Sequence, residues 1–242
     1  MIESADELRA RRRAVATASS TLKSAPLDRR VKWLSAAARQ LHETSRAAAE
    51  ALSESTGLSR PMVDWALQTT LETVDESSLR SVGNEVEASR GAPRQWLPVI
   101  LAGNLFTASV RGVFVPLLAG VPVLAKASSR EAVFPQMLRE ALAATDAELA
   151  AAFSVVSFRG GETSFESELV GDASAVAVYG GDETVADVRH RHPDKRIIAH
   201  GHGVSLAYCS RSAASSRVTF EELALDVVAY DQRGCLSPQT IY

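Results

Sequence analysis

Between residues 97 and 200, short apolar runs alternate with helical stretches, and this alternation constrains the fold more than any other feature. Leu97 to Ala102, Val121 to Ala125, Phe153 to Phe158, Ala175 to Tyr179 and Arg196 to Ala199 read as strands. Ala108 to Leu118, with a kink expected at Pro116, Phe134 to Ala143 and Thr184 to His190 read as helices. Strands this continuously apolar leave no wet face, so they predict a parallel sheet covered on both sides by its crossover helices. Right-handed crossovers collect the strand ends on one edge, where open α/β sheets bind ligands. That edge then carries Gly103-Asn104, Lys126, Gly180-Gly181 and His200-Gly201-His202-Gly203. The expected class is α/β: a doubly wound parallel sheet preceded by an N-terminal helical region.

The helical region runs from residue 4 to about 90 and is alanine-rich, without strand-like alternation. Val31, Leu34, Ala38, Leu41, Ala48 and Leu52 mark one apolar stripe, broken near Gly57 and restarted around Pro61, a residue suited to a first helical turn. Trp65 and Leu71 continue an apolar face. Gly91-Ala92-Pro93 is the clearest boundary, which divides the chain into a helical region (1–90), an α/β unit (91–205) and a third segment (206–242). Arg9 and Arg11-Arg12-Arg13 read as a solvated helix face.

The 242 residues are 46% hydrophobic and 23% charged with a net charge of −3, so no global field favours nucleic acid or an anionic membrane. No apolar run is long enough to span a bilayer. The first residues lack a signal-peptide core, and two cysteines in unlike settings make no disulfide framework. A reducing cytoplasm is the expected compartment.

Cys235 lies in Asp231-Gln232-Arg233-Gly234-Cys235-Leu236-Ser237-Pro238-Gln239. Upstream, Thr219-Phe220-Glu221-Glu222 has the capping-box pattern, with Val218 set to staple onto Leu223. Phe220, Leu223, Ala224, Val227 and Val228 have the spacing of a buried stripe. A helix would thus deliver Cys235 to the tip of a turn that Gly234 keeps uncrowded and Pro238 stops from coiling again. Two readings stand at this point: a substrate-accessible thiol beside backbone N–H donors, or a small buried hydrophobe. Asn104 can aim an amide N–H at an oxyanion or close a turn. Lys126 can meet ribose hydroxyls or phosphate, or snorkel to the surface. Gly180-Gly181 forms a strand–glycine–helix turn open to a pyrophosphate, although Asp182 and Glu183 would oppose phosphate. His190, His192, His200 and His202 form two H-x-H pairs, but no cysteine or carboxylate is grouped with them, and no metal site is expected.

Taken in order, these blocks resemble the LuxC-type fatty-acyl reductases, acyl-CoA reductases of the aldehyde dehydrogenase superfamily. The resemblance rests on Val99 to Asn104, Leu117 to Ser129, Val178 to Thr184, Ala199 to Ser205 and Asp231 to Gln239. It implies a Rossmann-like sheet of the aldehyde dehydrogenase type and reduction of a long-chain acyl-CoA by NADPH or NADH. Cys235 would be the nucleophile, with Asn104 and the Cys235 N–H as oxyanion hole. Lys126 would hold the adenosine ribose, Ser129 or Arg130 would lie beside its 2′ position, and Gly180 and Gly181 would flank the pyrophosphate. A small Ser129, where many superfamily members carry an acid nearby, leaves room for the 2′-phosphate of NADPH. The resemblance also implies a homo-oligomer in the full-length form.

Two departures qualify it. Oxidising relatives carry a general-base Glu in the block that here reads Ala199-His200-Gly201-His202-Gly203. Without a base to activate water, the thioester is directed toward reduction or acyl transfer. Family members also continue well beyond the nucleophile, whereas seven residues follow Cys235 here; the resemblance thus implies a nucleotide-binding α/β domain at 91–205 and, at 206–242, the start of an incomplete catalytic domain with the nucleophile, a shortened form expected not to turn over alone. Alternatives are a non-catalytic nucleotide-binding module and a CoA-acylating aldehyde dehydrogenase for short acyl groups.

Overall fold

The computed structural model describes residues 4–89, 95–234 and 237–242. The N-terminal part is helical: α1 (Ala5–Thr17), α2 (Ser19–Ser24), α3 (Leu27–Ala47), α4 (Ala49–Thr56), α5 (Arg60–Leu71) and α6 (Glu76–Ala88). Local chemistry starts these helices. Ser4 caps α1 by accepting from the Glu7 N–H at 3.1 Å, Pro61 lies in the first turn of α5, and Asp75 with Ser78 forms a capping box on α6. The expected stripe is real: Val31, Leu34, Ala38 and Leu41 are buried on α3 and Leu52 on α4, with half-buried Ala48 capping the break between them.

The α/β part follows as β1 (Leu97–Ile100), α7 (Ala108–Leu118), β2 (Val123–Lys126), α8 (Val133–Thr145), α9 (Ala147–Ala151), β3 (Phe153–Val156), α10 (Thr163–Val170), β4 (Ala175–Tyr179), α11 (Asp182–Arg191) and β5 (Arg196–His200). All strands pair in parallel, in the order β3-β2-β1-β4-β5. Alternation along each strand sorts its residues between two layers. Val99, Ala125, Val155 and Ala177 face a core shared with α2 to α9. Ile100, Leu124, Val156, Val176 and Val178 face a second core with Leu8 and Val15 of α1, Leu169 and Val170 of α10, and Val185 and Val188 of α11. α7 ends in a left-handed Gly120 (φ 72°), where Gly120 N–H donates to Leu117 O at 3.0 Å and Val121 N–H to Pro116 O at 2.9 Å. This double closure satisfies the carbonyls of Pro116 and Leu117 in the last turn and sends the chain directly into β2.

Arg11 and Arg13 of α1 are exposed as expected, whereas Arg9 and Arg12 depart from the solvated face. Arg9 makes a two-pronged contact to Glu168 of α10 at 2.6 and 3.2 Å, and Arg12 donates to the Glu168 carbonyl at 3.0 Å. Pattern alone could not reveal this, because the acceptor lies more than 150 residues away. The boundary at Gly91-Ala92-Pro93 lies outside the described residues.

Beyond the sheet come β6 (Leu206–Ala207), a 3-10 turn (Ala213–Ser215), α12 (Arg217–Val228), a second 3-10 turn (Ala229–Gln232) and β7 (Thr240–Ile241), which pairs in parallel with β6. Two expectations fail here. The cap of α12 is Ser216, whose hydroxyl accepts from Thr219 N–H at 3.4 Å, three residues before the capping box read from the pattern. No residue of α12 is buried, and Phe220 and Val228 are 50% and 51% exposed. Val218, the intended staple, is exposed as well. Periodicity identifies an apolar face but not what covers it.

Candidate functional site

The order in which strands are added to the sheet reverses between β1 and β4, and the connections leaving those strands part to opposite faces. A crevice of this kind is where doubly wound sheets take ligands. The loop after β1 carries Gly103-Asn104. A side chain on Gly103 would start 2.4 Å from Ser128 Oγ and 3.3 Å from Arg130 Cβ, so glycine lets this loop close onto the one after β2. Ser129 and Arg130 are exposed on that second loop, and Arg130 N–H donates to Ser128 Oγ at 3.2 Å.

Asn104 Nδ2 donates to the Arg233 carbonyl at 2.9 Å. This bond joins the first strand of the sheet to the turn that carries Cys235. Cys235 and Leu236 lie outside the described residues, but both flanks are held. Arg233 donates to the carbonyls of Thr56 at 2.7 Å and Gly57 at 3.1 Å, at the end of α4. The Tyr230 ring meets Trp65 edge-on at 5.7 Å, and its hydroxyl shares a 2.7 Å hydrogen bond with Thr107 at the start of α7. Ser237, buried, donates to the Ala229 carbonyl at 3.0 Å. Tyr230, Asp231 and Gln232 have φ of 54°, 51° and 59°. Left-handed backbone costs about 1–2 kcal/mol per non-glycine residue, and the docking of Tyr230 and Arg233 offsets it.

Lys126 ends β2, buried, with Nζ donating to the Ala127 carbonyl at 3.2 Å and standing 5.0 Å from the Phe158 ring centroid. Burial pushes its ammonium below the ordinary value, and the charge of Glu166 partly opposes that. At the end of β4, Gly180 N–H donates to the His200 carbonyl at 3.2 Å, and Gly181 leads into α11. Nothing lies within 4 Å of where a side chain on Gly181 would start, so the space at the N-terminus of α11 is open on that side. Asp182, expected to repel phosphate, turns its carboxylate to accept from His202 N–H at 3.1 Å.

On the opposite side of the crevice, Tyr179 and His200 stack at 4.2 Å and 10°, and the Tyr179 ring lies against Gly112, where a side chain would start 3.2 Å away. Burial raises the Tyr179 phenol, while burial and then the charge of Arg111 lower the His200 imidazole. Arg111 and Thr107 also line a largely apolar groove of about 610 Å³ between α7 and the α5–α6 pair.

The sequence model of the family described as Acyl-CoA reductase (LuxC) matches residues 16–242. The chain belongs to the LuxC acyl-CoA reductase family. No match was found among curated proteins. Among solved structures, this LuxC-family chain is similar to aldehyde dehydrogenase 21 from Physcomitrella patens in complex with succinate, at 15% identity and a TM-score of 0.80, covering 99% of this chain and 53% of that one. It is similar to NADP-dependent glyceraldehyde-3-phosphate dehydrogenase from Bacillus halodurans C-125 complexed with NADP, at 17% identity and 0.78, covering 98% and 53%. GapN from Methanocaldococcus jannaschii DSM 2661, also complexed with NADP, matches at 14% and 0.79, covering 100% and 56%. These likenesses establish the aldehyde dehydrogenase fold, and the chain spans about half the length of those structures.

The LuxC-family chain places the histidines apart. His192 pairs with Glu166 at 3.1 Å, beside the two bonds that Arg191 makes to the same carboxylate at 2.8 and 2.9 Å. His190 is exposed on α11. Among the described residues no cluster of three His, Cys, Asp or Glu is placed to hold a metal, and no helix is long and apolar enough to cross a membrane. Sequence reasoning missed Thr107, Arg111, Tyr179 and Tyr230. Only Tyr179, next to Gly180-Gly181, lay in a motif that could have flagged it.

Proposed function

We propose that the chain carries the cofactor-binding and acyl-accepting parts of an NAD(P)H-dependent reductase of long-chain acyl-CoA. The observation that carries this reading is the Asn104–Arg233 hydrogen bond, which ties the end of β1 to the turn bearing Cys235. The Cys235 thiolate adds to the thioester carbonyl, the negative oxygen is held by Asn104 and the Cys235 N–H, and CoA leaves as the thiolate, which takes up a proton. A bound reduced nicotinamide would supply the hydride that carries the acyl-cysteine to the aldehyde. Lys126 holds the adenosine ribose, Ser129 and Arg130 flank its 2′ position, and Gly180 and Gly181 admit the pyrophosphate at the start of α11. The apolar groove beside α7 supports an acyl substrate, because its volume of about 610 Å³ suits a long aliphatic chain. The block Ala199 to Gly203 holds no Glu to activate water, which protects the acyl-cysteine from hydrolysis.

Intact-mass analysis after incubation with a long-chain acyl-CoA tests this. An adduct of one acyl group is expected on the native chain and not on Cys235→Ser; an adduct that persists in the variant would overturn the assignment. A second reading, a binding module without turnover, is favoured by the uncovered apolar face of α12. Nucleotide binding without either acyl adduct or aldehyde formation would select it.

A further inference from the structure

Thr107 stands between two parts of the molecule. Its hydroxyl shares the 2.7 Å hydrogen bond with Tyr230, and the residue also lines the apolar groove of about 610 Å³ together with Val110, Phe114 and Leu118 of α7. Asn104 precedes Thr107 by three residues, and Arg233 follows Tyr230 by three. The Asn104–Arg233 and Thr107–Tyr230 bonds are therefore two antiparallel rungs between the segment 104–107 and the turn 230–233. Among the described residues lining the groove, Thr107 is the one bonded to that turn. The turn itself holds three successive non-glycine residues at positive φ, so its docked form persists only while contacts such as these outweigh the backbone strain.

We propose that Thr107 and Tyr230 are positioning residues that couple filling of the groove by an acyl chain to the seating of the turn bearing Cys235, an inference that rests on the acyl-cysteine reading above. Thr107 is 6% exposed and faces the groove. An aliphatic chain laid along α7 expels the water that competes for its hydroxyl. The bond to Tyr230 then strengthens in the drier surroundings, and the docked turn is favoured by that difference. A short acyl group leaves the groove unfilled and brings no such gain. Chain length therefore enters the rate constant for acylation of Cys235 as well as the affinity for the thioester. The phenol hydroxyl can be removed without unseating the ring, because Trp65 holds it edge-on at 5.7 Å and the Tyr230 N–H donates to Met62 Sδ at 3.2 Å.

Single-turnover mass analysis of acylation by saturating butanoyl-CoA and dodecanoyl-CoA tests this. The native chain is expected to acylate about three- to tenfold faster with the long thioester, the worth of about one hydrogen bond. Tyr230→Phe and Thr107→Val should each acylate at one rate with both thioesters, and the double variant should be no slower than either, as members of one pair behave. In Tyr230→Phe the half-saturating concentration should still be lower for the long thioester, because Tyr230 does not line the groove. Thr107→Ser keeps the hydroxyl and should keep the native ratio of rates. The two Thr107 variants decide the matter even where Tyr230→Phe fails to fold. Equal rates with the two thioesters in the native chain, an unchanged ratio in Thr107→Val, or a lost ratio in Thr107→Ser overturns the coupling and leaves the acyl-cysteine reading intact. A native chain that forms no adduct with either thioester overturns both.

Discussion

Asn104 places one N–H of its amide on the Arg233 carbonyl, so the residue ties the loop after β1 to the turn 229–234, and the proposed function gives it the oxyanion. Asn104→Ala is expected to slow acylation of Cys235 by about 10²-fold or more, measured by single-turnover mass analysis, with 5′-AMP affinity unchanged. Glu131 behaves differently. It is buried, accepts from Phe134 N–H at 2.7 Å, and burial raises its carboxyl above the ordinary range. A carboxyl raised in the folded state stabilises fully below its unfolded value, and that contribution is lost as pH rises through the folded value. At neutral pH the buried charge is therefore a cost. Glu131→Gln keeps an acceptor for Phe134 and should raise Tm by a few degrees at neutral pH; the gain should vanish once the pH falls below the ordinary carboxylate range. A gain equal at both pH values would point to packing instead.

The turn 229–234 is held by side chains reaching to α4, α5 and α7, and Arg233 makes the largest single claim on it. Arg233→Ala should speed amide exchange in that turn while leaving β1 and β4 protected, as mass-resolved hydrogen exchange would report. Equal protection in the variant would show that Tyr230 alone suffices. The sheet was legible because β1 to β4 are apolar on both faces, while β5, at the edge, has no buried residue; α7 and β4 match the pattern residue for residue, and the other strands differ by one to three residues at their ends. α9 and α10 were not read, since a helix of five residues and one of eight give too few turns for a period to show. Within the site, Asn104, Lys126 and the glycines stood out because strand ends are punctuated by such residues. Thr107 and Arg111 did not, because on a helix otherwise buried they look like ordinary polar breaks. The role of Tyr230 depends on Trp65, a contact across 165 positions that no local pattern encodes.

At the scale of the molecule, one apolar core joins α2 to α9 with one face of the sheet, and a second joins α1, α10 and α11 with the other. Leu8, fully buried in the second, tests whether α1 is integral: Leu8→Ala should cost about 2–5 kcal/mol in denaturant unfolding, as a filled core site does. A loss of a few tenths would mean that α1 only rests on the surface. The strand order has a further consequence for how the chain is made. β2 adds to one side of β1 and β3 to the outer side of β2, then β4 takes the vacant side of β1 and β5 follows it. No strand has to wedge between two already paired, so the sheet can be laid down in the order of synthesis, each newcomer meeting a free margin. α1, by contrast, must wait for α10 before Arg9 and Arg12 find their partners.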